Sequence, residues 1–189
     1  MTEPLLTAAN VLTLLRMAMA PVVVILVLQQ RPWSALVVFV LAGLSDLFDG
    51  YLARHGSQST TLGAMLDPVA DKILLSCTFV ALTWSSHLHV AIPEWLTVLT
   101  LSRDGFIVVG VLLINLTVGR RVFYPSLLGK ASTVCQIVTV GLVLLFNARQ
   151  DPVEWLEPLF LATGAFAVAS ALHYVWAAAS GRHAGQAHP

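Results

Sequence analysis

Residues 45–72 read SDLFDGYLARHGSQSTTLGAMLDPVADK, four aspartates between two long apolar runs. The run before it, LVVFVLAGL, and the run after it, ILLSCTFVALTW, carry no charge. Both are continuous rather than alternating, which predicts helices and argues against half-buried strands. Asp46 and Asp49 are three residues apart and Asp67 and Asp71 four apart, so each pair shares one face of its helix. Residues 55–62 between them are short, polar and rich in Ser, Thr and Gly, a connection tight enough to fold the two faces against each other. The stretch therefore predicts a helical hairpin with four carboxylates at its polar end.

Outward from this hairpin the chain stays apolar. Of its 189 residues, 57% are hydrophobic and 11% charged, with a mean hydropathy of +0.81, where a soluble domain carries about 25% charged residues. A helix spans a bilayer with about 20 apolar residues, and six segments qualify, at about 10–29, 33–54, 63–84, 93–115, 127–147 and 153–179. The reading is a single all-α polytopic membrane domain over residues 1–182 with six transmembrane helices, followed by a polar tail at 183–189. A β-barrel, the other structure that satisfies its backbone in lipid, needs alternating segments and is a poor fit. Residues 1–10 lack the basic n-region of a secretory leader, so no cleaved signal is expected. MTEPLLTAAN reads instead as a short interfacial helix, with a disordered start as the alternative. A formal net charge of zero provides no basic footprint for nucleic acid. Cys77 and Cys135 fall in apolar runs and read as small buried hydrophobes.

Lysine and arginine in the short connections set the orientation. Arg54, Arg120, Arg121, Lys130 and Arg182 fall on one side; Arg31 and Arg149 fall on the other, the latter beside Asp151, Glu154 and Glu157. Both termini and the aspartate hairpin are thus expected on the cytoplasmic side of a cell membrane of the bacterial inner-membrane type. Trp33, Trp84, Trp95, Trp155 and Trp176 all lie near segment ends, as an aromatic belt requires.

A carboxylate near the bilayer centre costs about 2.5–3.5 kcal/mol, so four would cost on the order of 10 kcal/mol before their mutual repulsion is counted. Arg54 and Lys72 can neutralise two of them. Ion pairing at a helix end accounts for one or two aspartates but poorly for four on converging faces. Hard divalent cations held by carboxylate oxygens resolve the remainder, and a pair of such ions is what in-line displacement at phosphorus uses. Gly50 after Asp49, and Gly63 with Ala64 on the facing helix, remove side chains where a ligand approaches; the same small residues also favour close packing of membrane helices. Pro68, beside Asp67, is expected to bend the third helix at the site.

As a pattern the stretch is D-x2-D-G-x2-A-R-x8-G-x3-D-x3-D, with Asp46, Asp49, Gly50, Ala53, Arg54, Gly63, Asp67 and Asp71 at the fixed places. It resembles the motif of the CDP-alcohol phosphatidyltransferase family without a departure, and the six-helix topology is similar too. The resemblance implies transfer of the phosphatidyl group from CDP-diacylglycerol to an acceptor alcohol, with release of CMP. It implies that Asp46 and Asp67 bridge two divalent ions, Mg2+ or Mn2+, that Asp49 holds the first and that Asp71 holds the second. It also implies that Asp71 takes the proton of the attacking hydroxyl. Gly50, Ala53, Arg54, Thr60 and Gly63 would line the CDP-diacylglycerol site, joined by Asn10 and Thr13 of NVLTLLR at the start of the first helix. A homodimer is implied as well. No Ser–His or Cys–His pair is apparent, and a direct displacement needs none.

The acceptor is less legible. Arg103, beside Asp104, and Lys130, after Gly129, are further cations within or bordering apolar runs. Two readings stay open: they hold a phosphate on the acceptor, or Arg103 pairs with a neighbouring carboxylate and Lys130 marks a helix end. The segments NVLTLLRMAMAPVVV, LDPVADK and GKASTVCQ resemble bacterial phosphatidylglycerophosphate synthases, making glycerol 3-phosphate the first expectation. Arg–Asp rather than Arg–Glu in the fourth segment, with PSLLGKAST, resembles the CMP-forming cardiolipin synthases, whose acceptor is phosphatidylglycerol. A divalent-cation transporter would also explain the aspartates, but not Gly50, Ala53 and Arg54 at their places, nor the apolar runs that continue beyond the site.

Overall fold

The computed structural model describes residues 8–55, 61–117, 127–150 and 156–179, with side chains over 13–45, 70–110, 127–150 and 156–176. Among them the chain is all-helical, in the order α1 (Ala8–Leu28), α2 (Pro32–His55), α3 (Thr61–Trp84), α4 (Glu94–Thr117), α5 (Leu127–Arg149) and α6 (Leu156–Ala179). The bounds agree with the apolar segments of the sequence to within two residues, except that the expected start of the sixth segment, the interfacial reading of residues 1–7 and the polar tail lie outside the described residues. The helices run for 21 to 24 residues, or about 31–36 Å at 1.5 Å per residue.

Among the described residues, two helical stretches are long and apolar enough to cross a membrane, Leu127–Arg149 and Leu156–Trp176. Thr13–Leu28 and Pro32–Ser45 are shorter apolar stretches.

Two compact units form, one from Met1–Ile92 with Val140–Val153, the other from Pro93–Thr139 with Glu154–Pro189. In the first, α1 packs against both α2 and α3. Ala20, Ala35, Ala42 and Ala70 are wholly buried there, and their small side chains let the backbones approach. Val23, Val27, Phe39, Leu74 and Phe79 fill the space beyond them. Pro32 occupies the first position of α2, where its missing N–H costs nothing. Pro21 lies inside α1 and lacks the N–H that would reach the carbonyl of Met17.

The end of α1 is closed without a glycine. Gln30 takes a left-handed conformation (φ 58°), its N–H bonds to the Val27 carbonyl at 3.0 Å, and the N–H of Arg31 reaches the Leu26 carbonyl at 2.9 Å. This is the paired bond pattern of a Schellman cap. Gln150 after α5 is left-handed too (φ 56°), but its N–H bonds the Phe146 carbonyl four residues back at 2.8 Å, the bond of the simpler αL cap. Between α3 and α4 the chain turns back on itself. Asn147, 5% exposed, accepts the Val90 N–H at 3.1 Å on Oδ1 and donates from Nδ2 to the Val90 and Val143 carbonyls, both at 2.8 Å. One side chain of α5 thus ties down residues 85–92.

In the second unit α4 packs on α6. Gly164 makes close approach possible: a Cβ there would stand 2.7 Å from the Trp95 ring. Thr139 of α5 and Thr163 of α6 share a hydrogen bond of 2.8 Å. Buried threonines elsewhere satisfy themselves on their own helix, Thr78 on the Leu74 carbonyl, Thr83 on Phe79 and Thr100 on Leu96.

Candidate active site

The buried face of α1 changes character along its length. Thr13 and Arg16 have no exposure, and then the same stripe continues as Ala20, Val23 and Val27. Spacings of three and four keep these positions on one face, so α1 offers α2 and α3 a polar first half and an apolar second half. Asn10 begins this stripe by register, its side chain lying outside the described residues.

On α3, Asp71 stands one turn before Leu74 and Leu75, both 5% exposed, and two turns before Thr78, which is wholly buried. Its carboxylate meets the polar half of α1: Nη1 of Arg16 donates to Oδ1 of Asp71 at 2.6 Å. The two ends of this ion pair differ in access, Arg16 having no exposed side-chain surface and Asp71 having 39%. A fully buried guanidinium therefore grips a carboxylate that still faces outward. Sequence reading passed over Arg16, although a lone arginine in the apolar run NVLTLLRMAMA was the signal for it.

The α2 stripe points the same way. Ala35 and Ala42 are wholly buried and Phe39 nearly so, and the spacing of four, three, four continues through positions 46, 49 and 53. The side chains of Asp46, Asp49, Gly50, Ala53, Arg54, Gly63 and Asp67 lie outside the described residues, as does Thr60 altogether. Among the described residues no group of three His, Cys, Asp or Glu converges. Asp71 is thus the one member of the aspartate set whose surroundings are visible, and it suits a divalent ion: a hard oxygen donor, partly open, anchored from the buried side.

Arg103 belongs to the second unit and is 5% exposed. Its Nη1 meets Oδ1 of Asp104 at 2.6 Å, and its Nη2 meets Oγ of Ser170 at 2.6 Å and the Gly129 carbonyl at 3.5 Å. Its Nε is buried with no partner among the described residues, as are Oγ of Ser132 and Nε2 of Gln136 on α5. Lys130, in the first turn of α5, is exposed. Asp104 and Ser170 as partners of Arg103 give the pairing reading of this arginine a concrete form, while Nε leaves one donor for a ligand.

Residues 6–177 match the family model described as CDP-alcohol phosphatidyltransferase. The chain is 36% identical over 187 residues to a Streptomyces coelicolor protein named cardiolipin synthase (CMP-forming), covering 93% of this chain and 81% of that one. A human protein of the same name is 33% identical over 187 residues, covering 89% of this chain, which spans only 60% of the human protein. A Bacillus subtilis protein named CDP-diacylglycerol–glycerol-3-phosphate 3-phosphatidyltransferase is 33% identical over 153 residues, covering 73% of this chain and 76% of that one.

Proposed function

The chain belongs to the CDP-alcohol phosphatidyltransferase family and is an enzyme of phospholipid biosynthesis, and on that premise we propose that Asp71 is the base through which it transfers a phosphatidyl group from CDP-diacylglycerol to a phosphate-bearing alcohol. The observation that carries this is the Arg16–Asp71 pair: a carboxylate held from behind by a wholly buried cation and open in front. Asp71 there receives the proton of the acceptor hydroxyl as its oxygen attacks the phosphorus attached to diacylglycerol. The P–O bond to CMP breaks, and CMP leaves as a stabilised anion. Asp46, Asp49, Asp67 and Asp71 would hold two divalent ions, Mg2+ or Mn2+, which neutralise the charge of the pyrophosphate when bound. Arg54 adds positive charge on the leaving side, with Gly50, Ala53, Thr60, Gly63, Asn10 and Thr13 lining the nucleotide.

The surroundings are those of a bilayer. Large apolar side chains face outward, among them Leu14, Val22, Ile25, Val37, Leu41, Phe106 and Val109, while Arg16, Thr97, Arg103, Gln136 and Ser170 are buried. Trp33, Trp84, Trp95 and Trp176 are 47–56% exposed at or near the ends of their helices. This inverted polarity supports six spans with the aspartates near the cytoplasmic surface, both termini on that side, and assembly as a homodimer follows by family resemblance.

Glycerol 3-phosphate is the first acceptor proposed, with Arg103 Nε and Lys130 as the groups offered to its phosphate. Phosphatidylglycerol is the second, favoured by a specific finding: the two cardiolipin synthases above match 89–93% of this chain, the glycerol-3-phosphate transferase 73%. Purified protein given CDP-diacylglycerol, Mg2+ and each acceptor in turn separates them, with CMP and the lipid product read by mass spectrometry. Phosphatidylglycerophosphate from glycerol 3-phosphate supports the first reading and cardiolipin from phosphatidylglycerol the second. Asp71→Asn should lower CMP release by about 10²–10⁴-fold; no CMP from any acceptor would sink the transferase reading.

A further inference from the structure

A buried arginine is an expensive way to hold two helices together. Its neighbours on the stripe, Ala20, Val23 and Val27, pack α1 by apolar contact alone. Arg16 instead brings its charge to a carboxylate 55 residues away in sequence, at 2.6 Å, on a different helix. That partner is the carboxylate given the proton-accepting role above, and this inference rests on that reading. The planar guanidinium fixes the direction of approach as an ammonium does not, and the charge-assisted bond holds the Asp71 carboxylate by Oδ1.

We propose that Arg16 is a positioning residue: it holds the Asp71 carboxylate in the rotamer that meets the acceptor hydroxyl, and its charge lowers the affinity of that carboxylate for a divalent cation. The two effects have opposite signs in experiment. Loss of a merely structural residue weakens metal binding and turnover together. Loss of Arg16 weakens turnover while tightening the metal, because the Asp71 carboxylate no longer shares its charge with the guanidinium.

The test uses the full-length protein in lipid nanodiscs, with Arg16→Gln and Arg16→Lys. Mn2+ binding is read by the electron paramagnetic resonance of the free ion, turnover by CMP release, and folding by thermal unfolding. Arg16→Gln should bind Mn2+ about threefold tighter or more. Its kcat should fall about 10- to 100-fold. Arg16→Lys should restore the Mn2+ affinity of the parent and recover part of kcat. In an Asp71→Asn background, Arg16→Gln should leave Mn2+ affinity unchanged, and this arm needs no turnover. Parallel loss of Mn2+ affinity and kcat, an unchanged kcat, or an Arg16→Gln effect on Mn2+ that persists without Asp71 would each overturn the proposal. Parent protein that binds Mn2+ but releases no CMP from any acceptor would instead refute the transferase reading, leaving the Mn2+ cycle to decide the Arg16–Asp71 link.

Discussion

At the scale of single residues, the chain keeps its charges where they find partners. Arg103 has Asp104 and Ser170; Arg16 has Asp71. The aspartate set was readable because its spacing carries chemistry that few other arrangements explain. The partner of Arg16 was not readable in the same way: a salt bridge between residues 16 and 71 is a tertiary fact, and helical periodicity speaks only of neighbours on one helix. Arg103 beside Asp104 left two readings open, and Ser170 was in neither. Ser170→Ala leaves Nη2 of Arg103 with the 3.5 Å contact to Gly129. A buried charged donor so deprived costs about 1–3 kcal/mol. Thermal unfolding should register that loss, and if Arg103 also serves the acceptor, the acceptor KM should rise while the KM for CDP-diacylglycerol holds.

At the scale of elements, the helices were legible almost to their ends because the apolar runs are continuous and their breaks are polar. What stayed hidden was how the ends are closed. Both left-handed caps fall on glutamines, Gln30 and Gln150, whereas a sequence reader looks for glycine or asparagine there. Asn147 gave no signal either, since an asparagine near a helix end is common and its tie to Val90 spans 57 residues. Removing that side chain leaves the N–H and carbonyl of Val90 without the partner they use and exposes residues 85–92 to solvent exchange. Asn147→Ala should cost about 2 kcal/mol and speed hydrogen exchange in residues 85–92 well before it alters α1 and α2. Equal acceleration across the first unit would show that the clasp is not local.

At the scale of the whole molecule, large apolar side chains are exposed among the described residues while two arginines, a glutamine and several threonines are buried beside the apolar core, an unusual pattern for a water-soluble fold. Composition made this legible at once, but the acceptor was not, because its selection turns on a few side chains whose roles composition does not record. Two general outcomes follow. Activity should disappear on treatment with EDTA and return with Mg2+ or Mn2+, measured as CMP release. The protein should also stay with membranes through alkaline carbonate extraction. Finally, Pro21 gives α1 a joint. After it the buried stripe is wholly apolar, Val23 and Val27; before it the stripe holds Thr13 and Arg16. The bond missing at Met17 makes this the place where α1 would bend first under a change of membrane thickness. Turnover in vesicles of short and long acyl chains should therefore vary less for the parent than for Pro21→Ala, in which an unbroken rod would carry every change of membrane thickness to the carboxylate it grips.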